Sequence, residues 1–349
     1  MDPTLFVIVG AGASYDASTE WAPAGFVKPP LVKDLFDSDY REILARYPLA
    51  QNAAPEIRDA IRGGPDNPAV SLEHHLRSRY RDSADPYDRR RFFSIALYLQ
   101  DLLWNASSTE RVHFDNMDRL VAALPRHFHH ICFLTLNYDL ILDRALNNLD
   151  SIKTMGDYIG YGRWSLIKLH GSVDWGFAPI GDVSVDSPPA DLSHKLGSRI
   201  QRATDSAEFM APPSDAPPRY VKRSALESTK LFPALAVPVG EEDDVICPGS
   251  HQSYLDERLR ASEELDLLIL GYSAYDRTVI DRIRRSEKRI RSLTVVNAGP
   301  ATAEAVIQRL KELLPQTMSN ADISVARQSF SGWCQESLPL FVSSHPAAH

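Results

Sequence analysis

Short apolar runs punctuate the chain at Leu5–Val9, Ile131–Leu136, Leu166–Leu169, Leu267–Leu270 and Leu293–Val296. Each is rich in Val, Ile, Leu or Phe and ends in a turn or polar signal, which predicts strands buried on both faces, as in a parallel sheet. Helical segments fit between them, notably Asp139–Leu149, Tyr275–Arg289 and ATAEAVIQRLKELL after Pro300. That alternation predicts an α/β fold, a Rossmann-like doubly wound parallel sheet. Residues 37–125, with the amphipathic stretch IALYLQDLLW, read as a helical insertion. Residues 176–240, rich in Pro, Ser, Asp and Gly and carrying PPSDAPP, read as a loop-rich insertion. DISVARQSF is expected as an edge strand or tail element. The whole predicts one domain over 1–335 with a tail at 336–349.

Composition narrows the classes. The chain has 349 residues, 44% apolar and 24% charged, which is ordinary globular usage and excludes a disordered chain or a fibre. Its net charge is −8, from 38 basic and 46 acidic residues, so nucleic-acid binding across the surface is not expected. Cys132, Cys247 and Cys334 are scattered, with no CxxC pair, which argues against a structural zinc site or a disulfide framework. No run reaches the roughly 20 apolar residues of a membrane span, and the start lacks a leader pattern. A cytoplasmic protein without a metal is the expectation.

Candidate chemistry lies where the apolar runs end. VIVGAGAS sets Gly10, Ala11, Gly12 and Ser14 directly after the first strand. Such glycines let backbone N–H groups approach a pyrophosphate, or serve only tight strand–helix packing. Tyr15 stands where the dinucleotide fingerprint needs glycine, so an ordinary dehydrogenase is disfavoured. FLTLNYD carries Asn137 and Asp139, which are placed either to hold a ligand or to cap the helix that follows. LIKLHGS ends a strand at His170, a candidate acid–base group or a buried structural histidine. LILGYSAYD carries Gly271 and Ser273, a near miss for a nucleophile elbow because Tyr275 replaces its last glycine. The last strand ends at Asn297. HFHH (His127, His129, His130) has no carboxylate or cysteine at ligand spacing. The six basic residues of RIRRSEKRIR (282–291) read mainly as a solvated face.

The order GAGAS, T-x-N-x-D, LHG, LGxS and a strand ending in Asn resembles the sirtuin superfamily, in particular the bacterial sirtuin-like NAD-consuming proteins of antiphage defence. The matching blocks are short but run in the family's order from Leu5 to Asn297. The resemblance implies that Gly10, Ala11, Gly12 and Ser14 hold the NAD pyrophosphate. It implies that Asn137 contacts the nicotinamide ribose and positions water, with Asp139 and Ser14 near the carboxamide. His170 would be the catalytic histidine, acting through a ribose hydroxyl. Gly271 and Ser273 would lie near the adenosine half and Asn297 at the adenine ribose.

The chain departs from protein-deacylating sirtuins in three respects. It lacks their four-cysteine zinc module, it reads YDASTEWAPAGF where they carry GIPDFR, and 230–262 shows no counterpart of the strand that pairs with an acyl-lysine peptide. The expected activity is therefore NAD glycohydrolysis, with NAD as substrate. An NAD-dependent deacylase or ADP-ribosyl transferase, or a non-catalytic NAD- or ADP-ribose-sensing module, are the alternatives. An NAD-depleting enzyme needs control, so the resemblance implies a homo-oligomer or a partner chain such as a ring-forming ATPase or a short Argonaute. The 37–125 insertion is the expected assembly surface.

Overall fold

Along the chain the described strands are β1 (Thr4–Val9), β2 (His130–Thr135), β3 (Trp164–Lys168), β4 (Gly171–Phe177), β5 (Tyr220–Lys222), β6 (Phe232–Leu235), β7 (Leu265–Leu270), β8 (Ile290–Val296) and β9 (Asp322–Val325). Described helices of five residues or more are α1 (Ala11–Tyr15), α2 (Pro48–Gly63), α3 (Pro86–Ser108), α4 (Asp115–Ala123), α5 (Ile141–Asn147), α6 (Gly249–Ala261), α7 (Arg277–Ser286), α8 (Pro300–Leu313), α9 (Phe330–Glu336) and α10 (Leu338–Ser343). The computed structural model describes residues 4–18, 29–63, 75, 86–108, 112–160, 162–177, 220–222, 232–236 and 246–344. The chain forms two compact units: Met1–Pro29 with Ser108–His170 and Cys247–His349, and Pro30–Ser107 with Gly171–Ile246.

The first unit holds a six-stranded sheet in the order β3-β2-β1-β7-β8-β9, with every neighbouring pair parallel. Counted by its own strands this is the doubly wound order 3-2-1-4-5-6 of Rossmann-like folds. Every residue of β1, β2, β3 and β7 is buried. Continuous burial rather than alternation is what helices on both faces impose, and it is why these strands are mostly apolar, the few polar residues in them, among them His130, Ser165, Lys168 and Asp266, being buried as well. β9 at the edge is half-exposed along its length, as expected for DISV.

Two helices begin later than their apolar periodicity suggests, for one reason. The Asp139 carboxylate accepts the Ile141 N–H at 3.0 Å, and the Asp276 carboxylate accepts the Thr278 N–H at 2.7 Å. A capping acid satisfies an orphan donor and holds its own residue outside the helix. α7 also ends early, at Glu287, which takes a left-handed conformation (φ 58°). Glu287 is exposed, so Glu287→Gly relieves that strain without opening a cavity. The expected gain is about 0.5–1 kcal/mol, read as a higher urea midpoint at unchanged slope. A lower midpoint would contradict it.

α10 lies in the stretch read as a tail. Its Phe341 ring sits 6.2 Å from that of Phe128 and 5.7 Å from that of Trp333.

The second unit holds α2, α3 and an antiparallel sheet in the order β5-β4-β6. The loop reading of 176–240 is corrected where residues are described: Trp175–Phe177 pair with Tyr220–Lys222, and Gly176 and Phe177 with Pro233 and Phe232. Strands of three and four residues are too short to leave a period in the sequence. The buried Asp174 and Lys222 pair at 3.2 Å. The rest of 176–240, and most of YDASTEWAPAGF, lie outside the described residues.

Candidate functional site at the carboxyl edge of the sheet

A single row of cross-strand partners closes the carboxyl edge of the large sheet. Val9 pairs with Thr135 and Leu270, Thr135 with Lys168, and Leu270 with Val296. Gly10, Asn137, His170, Gly271 and Asn297 therefore leave five neighbouring strands at one level. β1 and β7, at the centre of the order, mark its reversal point, where open α/β sheets bind ligands.

The glycine loop is built around another backbone. Gly10 N–H donates to Leu270 O at 2.9 Å and Gly12 N–H to Gly271 O at 3.0 Å. A Cβ on Gly10 would lie 2.5 Å from Gly271 O, and one on Gly271 (φ 59°) would lie 2.1 Å from Ala13 N. The two turns touch main chain to main chain, so packing alone accounts for these glycines, and the N–H groups of Gly10 and Gly12 are both taken by carbonyls at the end of β7. Ala11, at the start of α1, is exposed.

Ser14 ties this loop to the one after β2. Asn137 Nδ2 donates to Ser14 Oγ at 2.9 Å, and Ser14 also hydrogen-bonds the Asp139 carboxylate. Thr135 sets the loop: its hydroxyl donates to Val9 O at 2.8 Å and accepts the Asn137 N–H at 3.0 Å. Burial pushes the Asp139 carboxyl up, although Lys168, Ser14 and the Ile141 N–H all act to lower it. Beside it Lys168, fully buried at the end of β3, donates to Asp139 O at 2.5 Å and to Asp143 Oδ2 at 2.7 Å. Tyr158 OH donates to Asp143 Oδ1 at 2.8 Å. This cluster fixes the backbone that carries Asn137.

His170 Nε2 lies 3.1 Å from Asp276 Oδ2, and its ring centre lies 6.4 Å from that of Tyr138. Burial acts to push the Asp276 carboxyl up, but the hydrogen bond and charge of His170 and the Thr278 N–H outweigh it and hold the group low. Asp276 was not among the residues singled out from the sequence. An acid before a helical run signals a cap, yet nothing in the sequence links position 276 to position 170.

The remaining candidates shape the turns. Ser273 O accepts from Arg309, whose guanidinium sits 3.6 Å over the Tyr275 ring. Asn297 Nδ2 donates to Tyr272 O at 3.4 Å, and its Oδ1 accepts the Ala298 N–H at 2.9 Å. His130 is buried, with Nδ1 2.9 Å from Gly162 O and Nε2 3.2 Å from Ser165 Oγ. In the basic run, Arg282 pairs with Asp256, Arg284 with Asp281 and Arg291 with Asp266. Among the described residues no three His, Cys, Asp or Glu side chains group to hold a metal ion, and no helix is long and apolar enough to cross a membrane.

Fold and edge together define an open α/β protein with polar groups gathered at its reversal point. No protein-family model matches the chain, and no curated protein matches its sequence. Among solved structures it is similar to a Sir2 protein with a p53 peptide and NAD+, at 12% identity over 97% of this chain and 93% of that one, TM-score 0.36. A Sir2 protein bound to a propionylated peptide gives 13% identity, the same coverage of both chains and TM-score 0.36. A Sir2 enzyme solved to explain mechanism and regulation gives 12% identity over 98% and 91%, also at 0.36. At scores this low, the fold assignment rests on the strand order and register of the chain itself.

Proposed function

We propose that this protein is a sirtuin-like NAD glycohydrolase, cleaving NAD to nicotinamide and ADP-ribose. The observation that carries the reading is the common level of the motif residues: Asn137, tied to Ser14 of the glycine loop, and His170 on the adjacent strand end share one edge. In the reaction the bond between ribose C1′ and the pyridinium nitrogen breaks, and its electron pair leaves with neutral nicotinamide. Water oxygen bonds to C1′ and one proton is released. The leaving group already carries positive charge, so little acid catalysis is needed. Holding the ribose and placing one water supply most of the effect. Asn137 orients that water, and His170 acts on a ribose hydroxyl and receives the proton. The glycine loop, Asp139, Gly271, Ser273 and Asn297 line the path of the dinucleotide.

An enzyme that empties its own cell of NAD must be held in check. The corresponding role is a gated effector of antiphage defence, controlled by assembly with its own copies or a partner such as a ring-forming ATPase or a short Argonaute. A monomer by light scattering, both alone and with the product of a neighbouring gene, would count against this control.

The test is nicotinamide release from NAD by the purified chain, with and without that partner, resolved from linear and cyclic ADP-ribose. His170→Ala and Asn137→Ala are each expected to lose about a hundredfold or more of the rate while remaining folded. Undiminished release by a folded variant would overturn the assignment of that residue. Consumption of NAD only with an acylated or acceptor protein would make the chain a deacylase or transferase. Binding without release under every condition would make it a sensing module.

A further inference from the structure

We infer that Asp276 is a positioning residue for His170, fixing which imidazole nitrogen carries the proton; the inference rests on the hydrolase reading only for its effect on rate. The geometry is a divided carboxylate. Oδ1 accepts the Thr278 N–H at 2.7 Å, and Oδ2 faces His170 Nε2 at 3.1 Å. The first contact locks the carboxylate to the start of α7, so the second is presented in a fixed direction. The segment between β7 and α7 is held as well. Tyr272 OH donates to Asp276 O at 2.8 Å, Arg309 donates to Ser273 O, and Ala274 is buried in a left-handed conformation (φ 56°).

A carboxylate accepts and cannot donate, so neutral His170 must carry its proton on Nε2, toward Asp276. Nδ1 is then the nitrogen with the lone pair, and it is the one that acts on a substrate hydroxyl. A histidine oriented by a third group is the recurrent arrangement of catalytic bases. Here the orienting acid comes from β7–α7, on the far side of β1 and β2 from the strand that carries the histidine. The two halves of the doubly wound sheet thus each contribute one member of the pair.

Asp276→Asn separates this role from capping. Asparagine caps a helix as well as aspartate does, so α7 should remain intact. With its one oxygen on Thr278 N–H, its amide NH2 faces His170 Nε2, which must then accept, and the proton moves to Nδ1. Nitrogen NMR of ring-labelled histidine in the full chain, with His170 identified by its loss in His170→Ala, reads the tautomer without substrate. The wild type is expected to show the Nε2–H form and Asp276→Asn the Nδ1–H form. Asp276→Ser, which keeps a capping oxygen and withdraws the carboxylate, should show a mixture. In the nicotinamide assay Asp276→Asn is expected to lower kcat about a hundredfold with KM changed less than about threefold. An unchanged Nε2–H tautomer in both variants, or a mixture in the wild type, would overturn the inference. The tautomer swap with no nicotinamide release by the wild type, alone or with its partner, would uphold the pair and overturn the hydrolase reading instead.

Discussion

Gly271→Ala is expected to cost at least about 4 kcal/mol, a large part of the roughly 5–15 kcal/mol that holds a domain together. Two costs add. The position has φ 59°, where a side chain costs about 1–2 kcal/mol. The new Cβ would also stand 2.1 Å from Ala13 N and 2.5 Å from Gly12 C. Both are backbone atoms of the first turn of α1, and no rotamer change can move them. Relief requires one turn to back away from the other, breaking the Gly12 N–H bond to Gly271 O that joins them. Overpacking of flexible cores costs about 1–3 kcal/mol, and a rigid neighbour puts this case at or above that range. Urea unfolding of the variant beside Gly162→Ala, whose Cβ meets nothing within 4 Å, measures the difference. A Gly271→Ala loss within about 1 kcal/mol of that control would show that the turns do not bear on each other.

The second large effect is expected at Lys168. Its ammonium is fully buried between the Asp139 carbonyl and the Asp143 carboxylate, and Asp143 takes its other hydrogen bond from Tyr158. Lys168→Met keeps most of the volume but leaves a buried carboxylate facing an apolar chain, which costs about 3–5 kcal/mol. Replacing both partners, Lys168→Met with Asp143→Leu, should recover part of that loss, because the Asp143 charge is no longer stranded, while Asp139 still lacks its cation and Tyr158 its acceptor. A double-mutant cycle would report a coupling of about 2–3 kcal/mol. Additive losses would show that the pair is not a unit. The single variant should also loosen the loop after β2, so nicotinamide release should fall with stability in Lys168→Met and return only in part with the double change.

The sheet was legible because burial on both faces favours apolar residues, and four of its strands carry apolar stretches broken only by a few buried polar residues such as Ser165 and Asp266. The site's outline was legible for a related reason: polar residues resume where the strands stop, and register brings those stops level. Helix starts were less legible, since Asp139 and Asp276 each take a helical N–H while their own residues lie outside the helix. The small antiparallel sheet escaped notice because β5 and β6 are three and four residues long. GAGAS allowed a phosphate cradle or a packing turn, and only the approach of Gly271, far along the chain, supplied the second reason. The same distance hid the Asp276–His170 pair. A hydrogen bond across 106 positions, from 170 to 276, leaves no local signal.

The place of β1 between β2 and β7 also has a consequence for how the protein is made. During synthesis β1, β2 and β3 can align as soon as residue 168 is available, but the other ladder of β1 stays open until residue 270 has been added. The interval from residue 168 to residue 270, 102 residues, takes about 5–20 s at the usual rate of chain growth. For that time an apolar strand presents an unpaired edge, the feature that recruits foreign strands. The contact that completes the candidate site is therefore the same one that closes this window, so a nascent chain cannot assemble that site before the open edge of β1 is covered.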